Sequence, residues 1–125
     1  MSGMKMVYIA SPYAGDIETN TKMAREYCRY AAEQGAVPVA VHLLFPQFLD
    51  EHNPAERAWA CEMGLEVLSR CDELWVFGSR ISSGMAAEIA EAKRLGMNIR
   101  YIHTIEALQE PELTEAPCSG MSMSL

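Results

Sequence analysis

Four short apolar runs, separated by longer stretches with helical spacing, constrain this chain more than any other feature of its sequence. Lys5–Ala10 (KMVYIA), Ala36–Val41 (AVPVAV), Glu73–Phe77 (ELWVF) and Asn98–Ile102 (NIRYI) read as strands, rich in β-branched and aromatic residues. Pro12 removes a backbone donor and biases Ser11 away from helix, which ends the first run; Pro38 marks the second as a strand end or edge. Between the runs, Met23, Ala24, Tyr27, Cys28 and Ala31 recur at intervals of three and four, predicting an amphipathic helix over Glu18–Gln34 closed by Gly35. Asn53-Pro54-Ala55-Glu56 predicts a second helix running to about Arg70, with Asn at the N-cap, Pro at the first position and Glu at the third. Ser82 or Ser83 caps a third, running to Leu95 before Gly96, and a short helix is expected over Thr104–Gln109. The order β-α-β-α-β-α-β predicts an α/β fold: one doubly wound parallel sheet of four to five strands with helices on both faces.

A chain of 125 residues accommodates one such domain, here 1–109, and the remaining 110–125 reads as an acidic tail, mobile or packed on a neighbour. Ten basic against seventeen acidic residues give a net charge of −7. Glu106, Glu110, Glu112 and Glu115 account for four of those charges, leaving the body near −3. No basic patch exists to neutralise several phosphates of a duplex, so no nucleic-acid partner is expected. The run Val7–Ala10 is too short for a signal peptide or a membrane span, so no membrane is expected either. Cys28, Cys61, Cys71 and Cys118 lie far apart without a CxxC pair. They are read as reduced thiols, mostly small core residues, in a cytoplasmic protein with neither metal nor cofactor.

Ligands of doubly wound sheets bind at the carboxyl ends of the strands, where the strand order reverses. That points to the loops Ser11–Thr19, His42–Asn53 and Gly78–Gly84. In Ser82-Ser83-Gly84-Met85-Ala86-Ala87-Glu88, small polar residues open a helix after a strand end, so free backbone N–H groups face the crevice as an anion site; the plainer alternative is a serine N-cap. Glu88 shares a helix side with Met85, Ile89 and Ala92, the side that should face the sheet. A carboxylate there is costly unless paired or used, which leaves it a nucleophile, a base or a structural acceptor. Glu91, three residues before Arg94, reads as a surface charge. Tyr8 is core by alternation, with a hydroxyl that needs a partner such as a crevice carboxylate. Tyr13 suits a ligand-stacking or lid role, and His42 can reach the same ligand, whereas His52 and His103 look like loop and surface residues. Phe45, Phe48 and Trp59 read as core or subunit interface and Asp72 as structural. Arg57 and Arg80 are the cations nearest the crevice, with surface pairing the default for each.

The stretches Tyr8-Ile-Ala-Ser-Pro-Tyr-Ala-Gly15, Cys71-Asp-Glu-Leu-Trp-Val-Phe-Gly78 and Ser82-Ser-Gly-Met-Ala-Ala-Glu88 together resemble the nucleoside 2-deoxyribosyltransferase superfamily, including its short bacterial and phage branch and its nucleoside 5′-monophosphate N-glycosidases. The resemblance covers about Met6 to Ile102. It implies a flavodoxin-like, Rossmann-like sheet and a small-molecule nucleoside or nucleotide ligand. It also implies that Glu88 is the nucleophile attacking the anomeric carbon, with Tyr8 orienting it. Ser82 stands where the transferases proper have a sugar-binding aspartate and the nucleotide-hydrolysing relatives a serine near the 5′-phosphate. That favours a monophosphate cradled by Ser82, Ser83 and Gly84. Ser11, Tyr13, Gly15, His42, Gly78 and Met85 complete the expected ligand-binding set. The family's second acid, thought to help the leaving base, aligns with Gly64; Glu62 and Glu66 are near but point elsewhere on a helix.

Two functions follow. One is an enzyme that cleaves or exchanges the N-glycosidic bond of a (deoxy)nucleoside 5′-monophosphate. The other is a catalytically weak nucleotide-binding module that senses or sequesters its ligand. Relatives complete their sites across subunit contacts, so a homodimer or larger homo-oligomer is expected, with the apolar loop Leu43–Leu49 as a candidate interface.

Overall fold

A computed structural model of the protein describes residues 3–103. The helix expected over Thr104–Gln109 and the tail 110–125 lie outside the described residues. Four strands, β1 (Met6–Ala10), β2 (Val37–Val39), β3 (Glu73–Phe77) and β4 (Asn98–Ile102), alternate with three helices, α1 (Ile17–Glu33), α2 (Pro54–Ser69) and α3 (Ser83–Arg94). Two 3₁₀ turns, Val41–Leu43 and Phe45–Gln47, lie between β2 and α2. The strands form one parallel sheet in the order β2-β1-β3-β4, a flavodoxin-like arrangement, with Val7 opposite both Pro38 and Glu73.

Strand alternation sorts the core into two layers. Val7, Ile9, Trp75 and Phe77 face α1 and pack with Tyr27, Tyr30 and Ala31. Tyr8, Ala10, Leu74 and Val76 face the other way and pack with Leu68 of α2 and Met85 and Ala92 of α3. β3 is buried along its whole length because strands flank it and helices cover both faces. Four rings in two pairs, Tyr27 stacked on Phe77 at 4.4 Å and Tyr30 tilted beside Trp75 at 6.3 Å, fill the α1 side.

β2 is shorter than the Ala36–Val41 run. Pro38 contributes no N–H to a ladder and sits on the sheet edge, and Val41 winds into a 3₁₀ turn that buries its side chain. At the amino ends of the strands, Asp72 accepts from the Met6 N–H at 2.8 Å and returns its own N–H to the Met6 carbonyl at 2.7 Å. Glu73 accepts from Lys5 Nζ (2.6 Å), Trp75 Nε1 (2.9 Å) and Asn98 Nδ2 (3.3 Å). These bonds, led by that from Lys5, hold its carboxyl well below the usual range, at about 2. They tie β1, β3 and β4 together at one end, leaving the opposite end free for a cleft.

Candidate functional site

The cleft opens at the carboxyl ends of β1 and β3, where the connection from β1 to β2 runs one way and that from β2 to β3 crosses back. It encloses about 510 Å³, within the range of small-molecule sites. Its walls come from the loop after β1, the 3₁₀ turns after β2, the first half of α2 and the first turns of α3.

Tyr8 and Glu88 sit at its floor. Tyr8 projects from the middle of β1 toward α3 and is fully buried; Glu88, one turn into α3, is 9% exposed. The phenol donates to Glu88 Oε2 at 2.6 Å, while Oε1 is buried without a hydrogen-bond partner. Burial pushes the Glu88 carboxyl up to about 7, and the bond from Tyr8 pulls the other way. Burial, with the adjacent Glu88 charge, pushes the Tyr8 phenol far above its ordinary range, so it stays a donor. Glu91, by contrast, pairs with Arg94 at 2.6 Å, as its spacing predicts.

Gly64 of α2 faces the Tyr8 hydroxyl. A Cβ there would lie 3.3 Å from the Tyr8 oxygen and 3.8 Å from Val41 Cγ2. The bare glycine therefore leaves room for the phenol beside Glu88, and at the aligned position no acid reaches the cleft.

α3 begins at Ser82, whose Oγ accepts from the Met85 N–H at 3.2 Å. Ser82 is thus the cap, and Ser83, Gly84 and Met85 line the cleft beside it. Tyr13 and Gly15 reach it from the loop after β1, where Gly15 has φ +94°, a left-handed conformation that suits glycine. Asn20 Nδ2 pins this loop by donating to the carbonyls of Tyr13 and Ala14. His42 stacks on Tyr13 with ring centroids 5.0 Å apart and planes 19° from parallel. Burial lowers the His42 pKa, favouring neutral imidazole.

Two expected residues fall elsewhere. Ser11 is buried with an unpartnered Oγ and does not line the cleft. Gly78 borders a separate hollow of about 310 Å³ with Pro12, Asn20, Met23, Tyr27, Ser79 and Arg80. Ser11 follows Ala10 and so alternates to the α1 side of the sheet, whereas Gly78, with φ +93°, leaves the strand's alternation and borders a hollow lined by α1. Arg57 and Arg80 line the cleft, and among the described residues neither forms an ion pair, contrary to the pairing expected of them. Cys61 also departs from expectation: it is exposed on the cleft wall, whereas Cys71 is buried. Sequence reasoning overlooked Glu51, which lines the cleft and whose charge, after burial, helps raise the Tyr13 pKa. Its only signal is a place in the irregular loop after β2. His52, at the rim, is the loop residue expected.

Among the described residues, no group of three or more His, Cys, Asp or Glu side chains is placed to hold a metal ion, and no helix is long and apolar enough to cross a membrane.

A flavodoxin-like sheet with a cleft and a buried Tyr–Glu pair at its carboxyl end places the protein in the α/β class. The profile of the family described as a domain of unknown function (DUF7768) matches residues 5–102, and the chain belongs to that family. No curated protein matches the sequence. Solved structures share its fold. A 2-deoxyribosyltransferase from Bacillus psychrosaccharolyticus superposes with a TM-score of 0.63 at 16% identity, covering 77% of this chain and 70% of that one. A 2-deoxyribosyltransferase from Leishmania mexicana gives 0.59 at 17%, covering 80% and 65%. The Clostridium botulinum CMP N-glycosidase BcmB gives 0.52 at 18%, covering 87% and 99%. The resemblance read from sequence is thus met in the fold.

Proposed function

We propose that the protein binds a (deoxy)nucleoside 5′-monophosphate and breaks its N-glycosidic bond through Glu88. The observation that carries this reading is the buried Tyr8–Glu88 pair: a carboxylate fixed at one oxygen, unpartnered at the other, on the wall of the cleft. In the first step Glu88 forms a bond to the anomeric carbon while the carbon–nitrogen bond breaks, its electron pair leaving with the base, which takes up a proton from solvent water. Water or a second base then attacks the same carbon and releases the carboxylate, the two-step logic of retaining glycosidases. The first turn of α3, with Ser82, Ser83 and Gly84, suits the phosphate, and Arg57 and Arg80 add positive charge to the same cleft. The neighbours of the same fold include a protein named for cleaving CMP and two named for 2-deoxyribosyl transfer, in line with either outcome.

A second reading, a nucleotide-binding module with little or no turnover, rests on Gly64, which supplies no acid for the leaving base. Release of free base from a panel of ribo- and deoxyribonucleoside monophosphates, run beside Glu88→Ala, separates the two. Base released by the parent and not by the variant supports the enzyme. A monophosphate that raises the melting temperature of both proteins without base release supports the module.

The reading extends to a homodimer or larger assembly in the cytoplasm. Leu44, Phe48 (60% exposed) and Trp59 (55% exposed) surround the 3₁₀ turns and α2, and a second copy of the chain would cover them. Sedimentation of the parent beside Trp59→Glu tests this, with dissociation of the variant expected.

A further inference from the structure

We propose that Glu51 reads the base, selecting nucleotides whose base presents an exocyclic amino group over those presenting a carbonyl at the same place. This rests on the nucleotide reading of the cleft. The sheet order β2-β1-β3 sets a direction across it. The first turn of α3 follows β3, the Tyr8–Glu88 pair stands over β1, and the loop carrying His42 and Glu51 follows β2. A monophosphate with its phosphate on α3 and its anomeric carbon at Glu88 must extend its base toward that loop.

There the base meets the stacked Tyr13 and His42 rings and the Glu51 carboxylate. Glu51 is half-buried, its side chain 28% exposed, with Oε2 3.6 Å from His52 Nε2, and it lines the cleft together with Tyr13. Two carboxylate oxygens offer about four acceptor sites, so capacity remains for a ligand. Of the other acids of the cleft, Glu88 holds the Tyr8 hydroxyl at the sugar end, where its unpartnered Oε1 serves the anomeric carbon, and Glu56 accepts from the Asp50 N–H at 2.7 Å. A carboxylate only accepts. An amino group donates to it, whereas a carbonyl oxygen faces it with lone pair against lone pair. With the carboxylate at the exocyclic position, cytosine is therefore favoured over uracil and adenine over hypoxanthine; the members of each pair differ also at the adjacent ring nitrogen, an acceptor in the amino base and an N–H donor in the carbonyl one.

The test is a thermal-shift and base-release comparison of the cytidine, uridine, adenosine and inosine monophosphates on the parent, Glu51→Gln and Tyr13→Leu. Glutamine keeps an acceptor and adds a donor; leucine removes the stacking ring. The parent is expected to prefer the amino member of each pair by about tenfold or more, and Glu51→Gln to erase or invert that ratio. Tyr13→Leu should weaken all four alike. An unchanged ratio in Glu51→Gln, or a uniform loss matching that of Tyr13→Leu, overturns the assignment and leaves the nucleotide reading standing. Failure of all four to bind or react overturns both.

Discussion

The Tyr8 hydroxyl meets Glu88 Oε2 at 2.6 Å across a separation of 80 residues, joining the central strand β1 to the first turns of α3. The bond is buried, so it positions the carboxylate and also sets how readily it ionises. Burial alone favours the neutral acid; the phenol favours the anion.

Glu88 must be ionised to act as a nucleophile, so base release should rise with pH and level off above about 7. Tyr8→Phe removes the interaction that lowers the Glu88 pKa, so its profile should move to higher pH, with a lower plateau. A pH–rate series on the two proteins measures this. Coincident midpoints would mean that the phenol does not tune Glu88.

The same shift bears on stability. A carboxyl raised from its ordinary value to about 7 in the fold makes the native state bind more protons between those values, so stability falls as pH rises through that window. Glu88→Gln keeps an acceptor for Tyr8 without the charge. Urea unfolding at pH 8 should show it more stable than the parent by up to about 3 kcal/mol, with the gap closing toward pH 4.5. A variant less stable at pH 8 would contradict the burial argument.

Glu73 behaves oppositely. Its carboxyl is held at about 2 by Lys5, Trp75 and Asn98, so its contribution is present above the ordinary glutamate range and lost as pH falls through about 2. Glu73→Gln should lower stability at neutral pH and flatten the acid limb of the unfolding curve. An acid limb as steep as the parent's would place the loss elsewhere.

Gly64→Ala puts a methyl group 3.3 Å from the Tyr8 oxygen, a few tenths of an ångström too close. In the middle of α2 the alanine gains helix propensity of about 1 kcal/mol, which offsets the crowding. The melting temperature should stay near the parent's while the pH–rate midpoint moves upward as the Tyr8–Glu88 bond is disturbed. A large fall in melting temperature with an unmoved midpoint would make Gly64 a packing residue alone.

Ser82→Ala removes the cap of α3 at a cost of about 1 kcal/mol. If the same turn holds a phosphate, affinity for a nucleoside monophosphate should fall more than affinity for the free nucleoside. Calorimetric titration with both ligands decides it, and equal losses would confine Ser82 to capping.

Much of the fold is legible in local pattern. β3 and β4 begin and end where their apolar runs do, and Asn53 and Ser82 cap α2 and α3 where small polar residues precede helical spacing. Glu88 is conspicuous because it breaks the apolar side of its own helix, and Tyr8 because a phenol lies within a strand. Such signals survive in sequence because helix and strand periodicity, capping and turn chemistry act over a few neighbouring residues.

The composition of the cleft was decided at longer range. Ser11 and Gly78 stand in the right loops yet turn away from it, while Glu51, which belongs to no periodic pattern, is carried in by two 3₁₀ turns. Gly64 acquires its meaning from a phenol 56 positions earlier in the chain, and Glu88 its raised pKa from the layers packed above it. By itself the sequence determined which residues form strands and helices and which faces are apolar. Close approach and desolvation depend on how those faces meet, so the site's membership and its electrostatics came only with the packed sheet and helices.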